Sequence, residues 1–148
     1  MKTLLIGYGN ATRSDDGVGI LVVEDLEAMA LKEVEIRTYQ QLHVEILEDF
    51  GRYQRIVLVD VCPEAKTAEI VPVGRLASGM ASSHHLSAEL LLSLARATGY
   101  PVPEFYVCRV PGHDFSFGNR LSESAREGAE IAKQKLRKFL APQETVYA

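Results

Sequence analysis

Ile56-Val57-Leu58-Val59 is an unbroken apolar run between Arg55 and Asp60. It is short, β-branched and closed by a charge, so it reads as a strand covered on both faces rather than as a helix. Thr3-Leu4-Leu5-Ile6-Gly7 has the same character. Between and after these runs the apolar period changes to that of helices. Val18, Leu21, Val22, Leu26 and Met29 recur between Gly17 and Met29, with Glu24, Asp25 and Glu27 opposite. Val34 to Tyr39 alternates as a strand nearer an edge, and His43 to Phe50 is expected to be a short helix with Val44, Leu47 and Phe50 inward. Glu69 to Val73 and Glu104 to Val110 read as further strands, and Gly74 to Ser83 as a loop of small residues. Leu86 to Ala97 reads as a helix carrying Leu86, Leu90, Leu91 and Leu94 and stopped by Gly99 and Pro101; Ser122 to Leu140 reads as a long amphipathic helix. Strands alternating with helices predict a three-layer α/β/α sandwich with a mostly parallel, twisted sheet. With 148 residues, no repeat and no linker, one domain over 1–148 is expected.

Composition narrows the function classes. Apolar residues make up 47% and charged residues 24%, and the net charge is −4. That supports a buried core and offers no basic footprint for nucleic acid. Cys62 and Cys108 are too few for a disulfide framework or a four-thiolate metal site, and read as buried thiols in a reducing compartment. The N-terminus turns to glycine and charge too soon for a signal peptide, and no window reaches the roughly 20 apolar residues of a membrane span. A cytoplasmic protein with no membrane partner is expected.

Parallel sheets place their chemistry at the carboxyl ends of the strands. Three loops meet that description. Gly7-Tyr8-Gly9-Asn10 followed by Asp15-Asp16-Gly17-Val18-Gly19 has the spacing of a strand-to-helix turn. A dinucleotide reading would want a third glycine where Thr12 stands, and Asp15 and Asp16 would repel a pyrophosphate. Ser14 or Asp15 is expected to cap the next helix, which leaves one aspartate unexplained. Asp60 ends a strand read as buried, where a carboxylate must be paired or ligated, or else cap the turn at Pro63. His84 and His85 precede the leucine-rich helix. No nucleophile elbow of the G-x-S-x-G kind is present. Two carboxylates and an imidazole suit a borderline ion such as nickel or zinc, with open positions left for other ligands. His113-Asp114 in its Pro-Gly turn, His43, and the basic set Lys133, Lys135, Arg137 and Lys138 read as surface features.

These pieces, in this order, resemble the hydrogenase maturation proteases, endopeptidases that process the large subunit of nickel-iron hydrogenases. The resemblance rests on Gly7-Tyr8-Gly9-Asn10, Asp15-Asp16-Gly17-Val18-Gly19, the apolar strand ending at Asp60, Ser83-His84 before the leucine-rich helix, and Phe117-Gly118 with Leu121-Ser122 before the last helix. It implies that Asp16, Asp60 and His84 are the metal-binding and catalytic positions, with no individual roles assigned among them. His84 rather than His85 is chosen because it lies two residues before Leu86. It further implies a monomeric peptidase with no resident organic cofactor, whose nickel is carried by the precursor from which a C-terminal extension is removed. A non-catalytic nickel-sensing chaperone of the same fold is the alternative. Many relatives carry an acidic residue and a glycine-rich turn where this chain has Thr38-Tyr39-Gln40-Gln41-Leu42, a segment expected to touch the substrate.

Overall fold

A computed structural model of the chain describes residues 1–74 and 86–142. Five strands form one sheet: β1 (Thr3–Tyr8), β2 (Val34–Tyr39), β3 (Arg55–Cys62), β4 (Glu69–Pro72) and β5 (Glu104–Pro111), in the order β2-β1-β3-β5-β4. The first four of that order run parallel, and β4 joins the edge antiparallel to β5. The mixed sheet with helices on both faces is the expected α/β architecture.

The two faces are built by different helices. Leu5, Val57, Val59, Cys108 and Val110 pack under α1 (Val18–Glu27) and α3 (Glu123–Leu140). Leu4, Ile6, Ile56, Leu58, Phe105 and Val107 face the 3-10 segment Val44–Gly51 and α2 (Ala88–Thr98). Both sets alternate along their strands, as the pleat requires. Continuous apolar runs therefore mark the strands that are sandwiched.

The helices differ in detail from the sequence reading. Leu21 and Met29 on and after α1, and Leu90 on α2, are exposed, and Val23 and Leu92 take inward places. Val44 is exposed as well, because Val44–Gly51 winds as a 3-10 segment that turns Ile46, Leu47 and Phe50 inward. Asp49, also buried there, pairs with Arg37 of β2 at 2.8 Å. α2 begins later than Leu86: Ser87 caps it, its side chain accepting from the Leu90 N–H, and Gly99 closes it at φ 79°. At α3, Lys133 bridges Asp25 and Glu130, and Lys135 donates to the Ala68 carbonyl, so two of the four basic residues are tied to the fold rather than simply solvated.

Close glycine contacts set how α1 meets the sheet. A Cβ on Gly7 would collide with the Gly19 carbonyl, and one on Gly19 with the Val59 carbonyl. The start of α1 thus rests directly on β1 and β3, which brings the β1–α1 loop to the carboxyl end of β3. No helix among the described residues is long and apolar enough to cross a membrane.

Candidate active site

The β1–α1 loop is held by its own aspartates. Asp16 Oδ2 accepts the Asn10 N–H at 2.7 Å, and Asn10 Oδ1 accepts from the N–H and hydroxyl of Thr12. Gly9 sits at φ +141° with its α-carbon against the Asp16 carbonyl, a place where no side chain fits. The loop N–H groups of Asn10, Thr12, Arg13 and Asp16 are all spent inside the loop. That removes the donors a pyrophosphate would need, so these glycines serve packing and not a dinucleotide.

Asp15 does something the sequence did not suggest. It caps no helix of its own: neither Ser14–Gly17 nor α1 has a side-chain cap. It is completely buried and accepts four hydrogen bonds from the other end of the chain. These come from the His113 and Asp114 N–H groups at 2.8 and 2.9 Å, and from the N–H and hydroxyl of Ser122 at 2.7 and 2.6 Å. Burial alone would raise its pKa, but the donors from Asp114, Ser122 and His113 outweigh it and hold the carboxyl below its usual range. Ser122 in turn caps α3. His113-Asp114, read as incidental, is therefore anchored through its backbone. Ser14 N donates to the Gly118 carbonyl and Gly118 N to the Thr12 carbonyl, at 2.9 and 2.8 Å, which lays residues 116–118 along the first loop. Phe117 remains outside, 78% exposed, under the Arg13 guanidinium.

Asp60 lies one residue past the paired positions Gly7 and Val59, and opposite Arg109 of β5. It does not end its strand. β3 continues to Cys62 because Val61 and Cys62 still pair with Val110 and Pro111. Tyr8 sits beside it at the end of β1 and donates its hydroxyl to Asp60 Oδ2 at 2.8 Å. Burial pushes the Asp60 carboxyl up to about 6; the Tyr8 hydrogen bond opposes this, and the charges of Asp16 and Glu89 add to it. Tyr8 is itself pushed up, by burial first and then by Asp60. Asp16, Asp60 and Glu89, in the first turn of α2, thus share one electrostatic neighbourhood.

Asp16 and Asp60 are brought to one rim. His84 and His85 lie outside the described residues, as does the segment 75–83 read as a loop. Among the described residues no three His, Cys, Asp or Glu side chains gather closely enough to hold a metal ion. Thr38, in the segment expected to touch a substrate, is exposed near the end of the edge strand β2. Cys108 is buried as expected, whereas Cys62 is only partly so, its sulfur 3.5 Å from Glu64. Tyr8, Glu89 and Arg109 went unread as site residues. For Tyr8 part of the signal was present, since it shares the strand parity of Leu4 and Ile6; that it stands level with Asp60 follows from the register of β1 on β3.

No family model and no curated protein matches the chain. Solved structures do. The hydrogenase maturating endopeptidase HybD from E. coli superposes with a TM-score of 0.78 at 22% identity, over 95% of this chain and 92% of that one. An endopeptidase from Escherichia coli gives 0.74 at 23% identity, with 94% of each chain covered. The [NiFe] hydrogenase maturation protease HybD from Thermococcus kodakarensis gives 0.72 at 18% identity, over 95% and 99%. Over almost its whole length, then, this chain has the fold of those endopeptidases.

Proposed function

We propose that the protein is an endopeptidase that removes the C-terminal extension of a nickel-iron hydrogenase large-subunit precursor once nickel has been inserted. The observation that supports this most is the placing of Asp60, pushed up to about 6, beside Asp16 at the carboxyl rim of a sheet shared with hydrogenase maturation endopeptidases. Two ionised carboxylates at one rim repel each other, and a cation delivered by the substrate relieves that repulsion. In this reading Asp16, Asp60 and His84 complete the shell of nickel carried by the precursor. Docking places the scissile peptide beside the rim, so orientation does much of the catalytic work. Water is added across the peptide bond, with a rim group or the substrate's own ion activating it. The precursor lacking nickel lacks the anchor, which makes the reaction a checkpoint on metal insertion. The protein acts as a cytoplasmic monomer with no organic cofactor.

Intact-mass analysis of nickel-loaded and nickel-free precursor, each incubated with the protein, tests this. Release of a discrete C-terminal fragment from the loaded form alone is expected. Equal cleavage of both forms removes the checkpoint. A stable complex without cleavage makes the protein a nickel-sensing chaperone instead.

A further inference from the structure

The other partly buried arginines among the described residues, Arg37 and Arg55, have partners. Arg37 donates to Glu35, Asp49 and Tyr53. Arg55 donates to Thr3 and to the Phe139 carbonyl, and Arg13 lies over the Phe117 ring. Arg109 is different. Its Nε is buried and has no hydrogen-bond partner, and no ion pair reaches its guanidinium among the described residues. This is not for want of acids nearby: its register neighbours are Asp60 on β3 and Glu69 on β4.

The orientation of Arg109 follows from the pleat. Phe105 and Val107 face the layer of α2, so Arg109, two residues on, faces it too. Leu4 and Ile6 place Tyr8 there, and Ile56 and Leu58 place Asp60 there. Tyr8, Asp60 and Arg109 therefore form a row across three strands at the carboxyl end of the sheet. A buried N–H left unpaired is costly, and in a native protein it marks a place where something else completes the bond.

We infer that Arg109 is a substrate-binding residue whose guanidinium donates to a main-chain carbonyl oxygen of the peptide held beside Asp60; the inference rests on the endopeptidase reading. A neutral oxygen suits the place better than a carboxylate, because Asp16, Asp60 and Glu89 already make the rim negative. The planar fork of donors can reach successive carbonyls of an extended segment, which a lysine ammonium cannot match.

The test compares wild type, Arg109→Met and Arg109→Lys on nickel-loaded precursor, reading KM, kcat and thermal midpoint. Arg109→Met is expected to raise KM about tenfold or more with kcat within about twofold, the signature of lost uniform binding. Arg109→Lys should fall between. The thermal midpoint of each variant should hold or rise, since no native hydrogen bond is lost. An unchanged KM, or a fall in kcat alone, overturns the assignment. So does a lowered midpoint in both variants, which would make the guanidinium a support of the fold. Failure of the wild type to process the precursor overturns the endopeptidase reading and this assignment with it; normal wild-type processing with unaffected variants overturns only the role of Arg109.

Discussion

Asp15 and Ser122 meet across 107 residues of sequence, the carboxylate accepting both the backbone N–H and the hydroxyl of the serine. The same serine oxygen caps α3 by accepting from Ala125 N. One carboxylate therefore governs the first loop, the loop after β5 and the start of the last helix.

Replacing Asp15 tests that arrangement. In Asp15→Asn one oxygen becomes an NH2 that must face a donor whichever way the amide is turned, because Ser122 N lies on one oxygen and three further donors on the other. A loss of about 2–3 kcal/mol is expected, and more for Asp15→Ala, measured by urea unfolding. The folded pKa is lowered, so the stability Asp15 supplies is present at neutral pH and fades as pH falls below about 4. Wild-type stability at pH 7 and pH 3 should differ more than that of Asp15→Asn.

Asp60 has the opposite linkage. Its folded pKa of about 6 stands above the usual aspartate value of 3.8, so the folded state holds a proton more tightly than the unfolded chain. The associated stability is present below about pH 4 and lost as pH rises through 6. Asp60→Asn should stabilise the protein at pH 7.5 by about 1–2 kcal/mol, the partial exposure of the group limiting the gain, and change little at pH 4. Removing the Tyr8 hydroxyl should push Asp60 still higher. Carboxyl carbon chemical shifts of metal-free wild type and Tyr8→Phe would show the midpoint near 6 and its upward move. A midpoint below 5 in the wild type would refute the described surroundings of Asp60.

Gly9 is a third case. At φ +141° with the Asp16 carbonyl against it, Gly9→Ala combines backbone strain with a collision. Destabilisation of about 2 kcal/mol or more is expected by thermal unfolding, with the loop bearing Asp16 displaced.

Thiol chemistry separates the two cysteines. Burial pushes the Cys108 thiol up to about 12, and the side chain is fully enclosed. Iodoacetamide at pH 8 should modify Cys62 alone in the native protein and both cysteines in urea, read by intact mass. Native labelling of Cys108 would contradict its place under α3.

The sandwich was readable because its signals are local: apolar runs for doubly covered strands, a 3.6 period for the helices, and Gly99 as a stop. Asp16 was singled out from Asp15 only through the family resemblance, whereas Asp60 could be picked out as a rim carboxylate from the apolar run it follows. Partnerships across the fold could not. Nothing near Asp15 announces Ser122, and the short-range expectation of a helix cap was the natural but mistaken one. Nor does the alternation of β5 reveal that Arg109 stands level with Asp60, since register depends on the neighbouring strand. Leu21, Val44 and Leu90 were misplaced because a helical period fixes a face only to within a residue, and because Val44–Gly51 winds with three residues per turn.

The clamp on Asp15 also fixes an order of events during synthesis. The first loop leaves the ribosome early, but its buried carboxylate gains its donors only when His113, Asp114 and Ser122 have followed. Until then a nascent chain carries an aspartate with no enclosure to enter, and the rim beside Asp16 has only one wall. Any chain halted before Ser122 is accordingly an unassembled fold, whatever sheet it has begun to form.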